Sequence, residues 1–201
     1  MLKRFAVASL AALAALGSAE AAPLQLILDR PGAQATDFDP VRSLDGRDYG
    51  FGALVAEAGA MVTYTLLGSE SDYANVFEAA GAALGGTSLP GHDPRGQSIL
   101  ESVDSTRLLG FSFSTIWPAG YPRVVNGEPG APFAIFGDGQ TPVETEFGSF
   151  QYVLGFNDGG TDIDYDDLVI GVNAVPEPAT TSLMLAGLLG GGWLLRRRKP
   201  R

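Results

Sequence analysis

The chain contains no cysteine and a single histidine, His92. Disulfides, thiolate-bound zinc, iron–sulfur clusters and a cysteine nucleophile are therefore excluded. A Ser-His-Asp triad would have to use His92, which lies in the loop-like Leu89-Pro90-Gly91-His92-Asp93-Pro94. No G-x-S-x-G elbow accompanies it, since Gly96-Gln97-Ser98-Ile99-Leu100 lacks the last glycine. Lysine is missing from residues 22–173, which removes the phosphate-binding lysine of a Walker loop. Positive charge is scarce there altogether. Of 13 basic residues, two precede this stretch and five follow it, leaving Arg30, Arg42, Arg47, Arg95, Arg107 and Arg123. Of 23 acidic residues only Glu20 and Glu177 lie outside, so residues 22–173 carry 21 acids against six bases. Such a surface repels nucleic acid and anionic lipid and favours cations or neutral polar partners.

The two ends read as processing segments. Lys3 and Arg4 precede a run over residues 5–16 that is apolar except for Ser9, and Ala19-Glu20-Ala21 fits the A-x-A pattern of signal-peptidase cleavage. Residues 1–21 are thus expected to be a signal peptide. At the other end, residues 180–195 are apolar or weakly polar and meet Arg196-Arg197-Arg198-Lys199. That is short for a span of ~20 residues, but a cationic stop at its C-terminal end places residues 196–201 in the cytoplasm and what precedes them outside. Residues 174–179 read as a Pro-containing linker.

Residues 22–173 leave room for one domain with its own core. Glycine and proline, 27 and 13 in the chain, interrupt every long helical period. Short runs of β-branched and aromatic residues remain at 24–28, 61–67, 108–116, 133–136, 147–156 and 168–172. They predict six to eight strands in a single antiparallel β-sandwich or jelly roll, with a turn at Asp29-Arg30-Pro31-Gly32. The best helical stretch is residues 73–83.

The densest chemistry is Asn157-Asp158-Gly159-Gly160-Thr161-Asp162-Ile163-Asp164-Tyr165-Asp166-Asp167, with five aspartates in ten residues. Asp162, Asp164 and Asp166 are spaced by two, so in extended chain they project to one face. Like charges that close disfavour one another unless protonated, hydrated or bridged by a cation. Calcium suits them, because it takes about 6–8 oxygen ligands in flexible geometry. An EF-hand is ruled out: with Asp162 as the first position, Asp167 takes the place of the glycine and Asn173 that of the bidentate glutamate. The candidate metal ligands are Asp158, Asp162, Asp164, Asp166 and Asp167, with Asn157. Against them stands an acidic solvated loop whose aspartates favour turns.

Val175-Pro176-Glu177-Pro178, the apolar stretch 180–195 and the basic Arg196-Arg197-Arg198 together resemble the PEP-CTERM sorting signal. The resemblance implies Gram-negative origin and recognition by an exosortase in the inner membrane. It also implies cleavage near Pro176-Glu177-Pro178 and release toward the cell surface or an exopolysaccharide matrix. The domain itself is similar to an uncharacterised β-rich domain common among such cargo. The likeness rests on Val62-Thr63-Tyr64-Thr65-Leu66-Leu67-Gly68-Ser69-Glu70 with Tyr73 and Asn75, and on Gly155-Phe156-Asn157-Asp158 with Asp162-Ile163-Asp164-Tyr165-Asp166-Asp167. Asp158 after Asn157 departs from the acidic pair expected there.

Three functions follow as expectations. The first is a non-enzymatic surface or matrix protein with a calcium loop, meeting signal peptidase and exosortase during export and exopolysaccharide afterwards. The second is a secreted glycan hydrolase in which Glu144 or Glu146 joins an aspartate of the cluster as acid and base. The third is a lectin-like module, which needs exposed aromatics such as Trp117 and Tyr121 near the metal.

Overall fold

In the computed structural model the described residues are 24–85, 95–117, 121, 123–130, 133–159 and 164–176. The expected signal peptide with Ala19 and Ala21, His92, Asp162, Glu177, Pro178, the apolar stretch 180–195 and Arg196 to Arg198 lie outside them. Among the described residues no helix is long and apolar enough to cross a membrane.

Fourteen strands and one 3-10 segment, Asp39–Leu44, account for most of the described chain. The strands are β1 (Leu24–Gln34), β2 (Asp48–Ala56), β3 (Ala60–Gly68), β4 (Ala74–Ala79), β5 (Ala82–Gly85), β6 (Ser98–Val103) and β7 (Arg107–Leu108). They continue with β8 (Ser112–Trp117), β9 (Val124–Val125), β10 (Phe133–Phe136), β11 (Val143–Thr145), β12 (Gly148–Phe150), β13 (Tyr152–Phe156) and β14 (Leu168–Pro176). The larger sheet runs β1-β2-β10-β13-β14-β3-β6, with β7 also on β2. A four-stranded sheet runs β5-β4-β8-β9, and β11 pairs with β12. All these pairings are antiparallel.

Side chains alternate across a strand, so each face of the larger sheet can be read separately. Phe133, Ile135, Tyr152, Leu154, Phe156, Leu168, Ile170 and Val172 share one apolar core with Phe77, Leu84, Phe113 and Val124 of the smaller sheet. Phe113 stacks on Phe156 at 4.9 Å, and Tyr64 meets Phe77 at 5.1 Å. Ala134, Phe136, Val153 and Val169 point the other way, into a second cluster with Phe38, Val41 and Leu44 of the 3-10 segment and with Val143 and Phe150 of β11 and β12. Both faces of β10 and β13 are therefore covered, which is why Phe-Ala-Ile-Phe and Tyr-Val-Leu-Gly-Phe are apolar without a break. Each such aromatic contributes about 1.5–3 kcal/mol by leaving water.

The structure corrects the expected elements in five places. Residues 73–83 are not a helix but β4 and β5, joined by a turn in which Ala80 and Gly81 both have positive φ (49° and 76°). Burial in β4 alternates at every second residue, so Asn75, Phe77 and Ala79 face inward, and tertiary packing overrides helix propensity. The expected turn at Asp29-Arg30-Pro31-Gly32 is part of β1, with shifts of register on either side of Arg30 and Pro31. A proline is tolerated there because β1 is an edge strand. The stretch 108–116 is split between the two sheets as β7 and β8, and 147–156 is split at Gln151. Finally, Ala174, Val175 and Pro176, expected in a linker, complete β14.

Candidate cation site in the acidic loop

Phe156 and Leu168 face one another in the β13–β14 ladder, so the acidic loop leaves and re-enters the larger sheet at a single rung. Its ends are tied. The Asp158 N–H donates to Asp167 Oδ2 at 2.7 Å, and the Gly159 N–H donates to Asn157 Oδ1 at 2.7 Å. The second bond is an Asx turn, completed by the positive φ of Gly159 (87°). Tyr165 is held in the left-handed region at φ 65°. A non-glycine residue there stores about 1–3 kcal/mol of strain. The Tyr165 ring packs on Tyr49 and Phe51 at 5.4 and 5.5 Å, which offsets that strain and anchors the loop to β2. A Cβ on Gly155 would lie 2.3 Å from the Tyr165 carbonyl oxygen, so this close approach requires glycine.

A second loop, between β3 and β4, zips onto the first. Ser69 Oγ donates to the Asp167 carbonyl at 2.6 Å, and the Glu70 N–H to the Asp166 carbonyl at 3.3 Å. Asp158 Oδ2 accepts from Ser71 Oγ at 2.5 Å and from Asn75 Nδ2 at 2.7 Å. Thr115 Oγ1 of β8 donates to Asn75 Oδ1 at 2.8 Å and fixes that amide. Asp158 and Asp167 are thus buried acceptors that brace the loop with neutral donors.

Asp164 and Asp166 differ from them. Asp166 is 2 % exposed, and its Oδ2 is buried with no hydrogen-bond partner, as is Oδ1 of Asp164. Burial pushes the Asp166 carboxyl up to about 9, and hydrogen bonding with Glu70 and Asp164 and repulsion from their carboxyls push in the same direction. An unmet buried acceptor costs about 1–3 kcal/mol, more when charged. The arrangement can relieve that cost by sharing a proton or by holding a hard cation. Among the described residues, no group of three or more His, Cys, Asp or Glu side chains is placed so that it could hold a metal ion.

Of the sequence-derived set, Asp158 and Asp167 meet where the loop's ends are tied, Asn157 closes the Asx turn, and Asp164 lies beside Asp166, whereas Asp162 lies outside the described residues. The sequence reading of the site missed Glu70 and its supports Ser69, Ser71, Asn75 and Thr115. The Ser69-Glu70-Ser71-Asp72 run closing β3 was the available signal, but it lies more than 80 residues from the loop it serves.

The other nominated residues lie in different surroundings. Glu144 Oε2 accepts from Ser149 Oγ at 2.5 Å. Glu146 accepts from the Arg42 N–H at 2.9 Å and from Ser43 Oγ at 2.5 Å. Burial pushes the Glu146 carboxyl up, but the bonds from Ser43 and Arg42 outweigh it and hold the group below its usual range. Both glutamates fasten the β11–β12 hairpin. Trp117 is 65 % exposed at the end of β8. Tyr121 packs on Tyr73 at 5.6 Å and borders Gly159 in the acidic loop.

No curated protein and no solved structure matches the chain. Residues 174–199 match the family model described as the PEP-CTERM protein-sorting motif, so the chain carries the sorting tail of an exported exosortase substrate.

Proposed function

We propose that the chain is a non-enzymatic surface or exopolysaccharide-matrix protein, sorted and cleaved by an exosortase, whose acidic loop binds calcium. The two sheets sharing one core support a β-sandwich scaffold for that loop. The observation that carries the calcium reading is the pair of buried, unpartnered oxygens, Asp164 Oδ1 and Asp166 Oδ2. Every charged group acting on Asp166 is a carboxylate, so a cation is the partner its surroundings ask for. Asp164 and Asp166 supply hard oxygen donors, with loop carbonyls and water to complete the shell, and calcium tolerates such a mixed set better than magnesium does. Extracellular modules of this kind bind with dissociation constants of about 10⁻⁴–10⁻³ M. A calcium ion at the loop would also offer an anionic polysaccharide its point of contact.

Thermal unfolding with and without millimolar calcium tests the reading, since a ligand of the folded state raises stability with its concentration. The native chain is expected to melt higher with calcium. Asp164→Asn/Asp166→Asn is expected to melt at the same temperature with and without it. Equal melting of the native chain in calcium and in chelator would overturn the proposal. A calcium-dependent carbohydrate-binding module is a second reading, and the Tyr73–Tyr121 pair against the acidic loop favours it. In that case retention on immobilised polysaccharide requires both calcium and Tyr121.

A further inference from the structure

The sorting motif begins before the fold ends. Its match starts at residue 174, whereas β14 continues to Pro176. Ala174, Val175 and Pro176 pair with Val62, Met61 and Ala60 of β3. Ala174 is 6 % exposed and belongs to the main core. On its other side β14 is paired with β13 only as far as Val172. Beyond that point a side chain takes over from the strand: Gln151 Oε1 accepts the Ala174 N–H at 2.7 Å. Asn173 completes the clasp, accepting from the Gln151 N–H at 2.9 Å and donating to the Ser149 carbonyl at 3.0 Å. β3 is itself locked at this end, since Ala60, Met61 and Val62 pair with Val103, Ser102 and Glu101 of β6.

From this we infer that the folded domain ties up the backbone of the first three residues of its own sorting motif in its sheet, although the Val175 side chain is half exposed. The machinery that reads the tail meets Ala174, Val175 and Pro176 only when the end of β14 peels from β3, and Gln151 sets how often that happens. The inference rests on reading residues 174–199 as a working sorting signal. A strand end opens more readily than a strand centre, and removing one clasp shifts that local equilibrium without touching the core. The device couples recognition of the tail to the local stability of one strand end.

Two measurements test it on the full chain. Hydrogen exchange on the purified protein is expected to show the Ala174 amide protected, and Gln151→Ala to speed its exchange roughly 5- to 10-fold, the effect of losing one hydrogen bond. An Ala174 amide that exchanges like an unstructured peptide overturns the proposal. In cells that carry the sorting machinery, loss of the tail is then followed by mass after a pulse of synthesis. The second variant inserts Gly-Ser-Gly-Ser-Ala-Val-Pro between Pro176 and Glu177, which keeps the ladder and adds a free copy of the motif's start. It is expected to lose its tail several-fold faster than the native chain, with Gln151→Ala between the two. Equal rates for all three overturn the occlusion. If no chain loses its tail while Ala174 stays protected, the sorting reading fails, and the inference falls with it.

Discussion

Asp166 ties its own proton to the stability of the fold. In the unfolded chain an aspartate releases its proton near pH 4, whereas burial and the carboxyls of Glu70 and Asp164 keep the folded, cation-free group protonated up to about 9. Between these values the folded chain holds a proton that the unfolded chain does not. Stability therefore falls as pH rises through that window, and it is greatest at the acid end as far as this group is concerned. Melting temperature in chelator is expected to decline from pH 5 toward pH 9, by more than in Asp166→Asn, which has no proton to lose. Millimolar calcium is expected to flatten the native slope, because the cation takes the place of the proton. A native slope identical to that of Asp166→Asn would show that Asp166 titrates as an ordinary surface carboxylate. At this scale the sequence was informative about which residue types gather. It could not say that Asp158 and Asp167 accept from neutral donors while Asp164 and Asp166 are left with bare oxygens, since Ser71, Asn75 and Glu70 reach the loop only through tertiary contacts.

At the scale of the element, the strands most legible in the sequence were those buried on both faces. Residues 133–136 were placed without error, because four apolar residues bounded by Gly137 permit little else. The element misread most fully was β4, where an alanine-rich stretch has helical propensity and only the facing Phe113 reveals a period of two. The limits of β12 and β14 depended on partners that no local pattern discloses. One such partnership is between Gly171 and Phe150, for a Cβ at Gly171 would lie 2.4 Å from the Phe150 ring. Gly171→Ala is expected to displace β12 from β14 and to cost about 1–3 kcal/mol, the range for overpacking a core. Urea unfolding checks it, and a midpoint equal to the native one would show that the Phe150 ring has room to withdraw.

Over the whole molecule, the antiparallel, mostly-β class followed from glycine and proline punctuation and the C-terminal sorting motif from its own residues, signals that act locally along the chain. Strand order did not, because β14, last in sequence, lies between β13 and β3. The same imbalance of charge gives a property of the entire domain. With 21 acids against six arginines over residues 22–173, the folded state repels itself, and screening relieves that repulsion. Melting temperature in chelator is expected to rise with sodium chloride between about 20 and 300 mM, as the Debye length shortens. A fall would mean that the ion pairs Arg107–Glu101 and Arg123–Glu78 outweigh the net charge.

The central place of β14 also bears on the order of events during synthesis and export. Sheet partners on both sides of it are made earlier but cannot be joined until it arrives. A chain threading N-terminus first through a narrow conduit would thus present β3 as an open edge from residue 68 until β14 follows, about 100 residues later. The larger sheet is complete only once the final strand has joined it, so the segment that leads directly into the sorting motif is also the one that closes the fold.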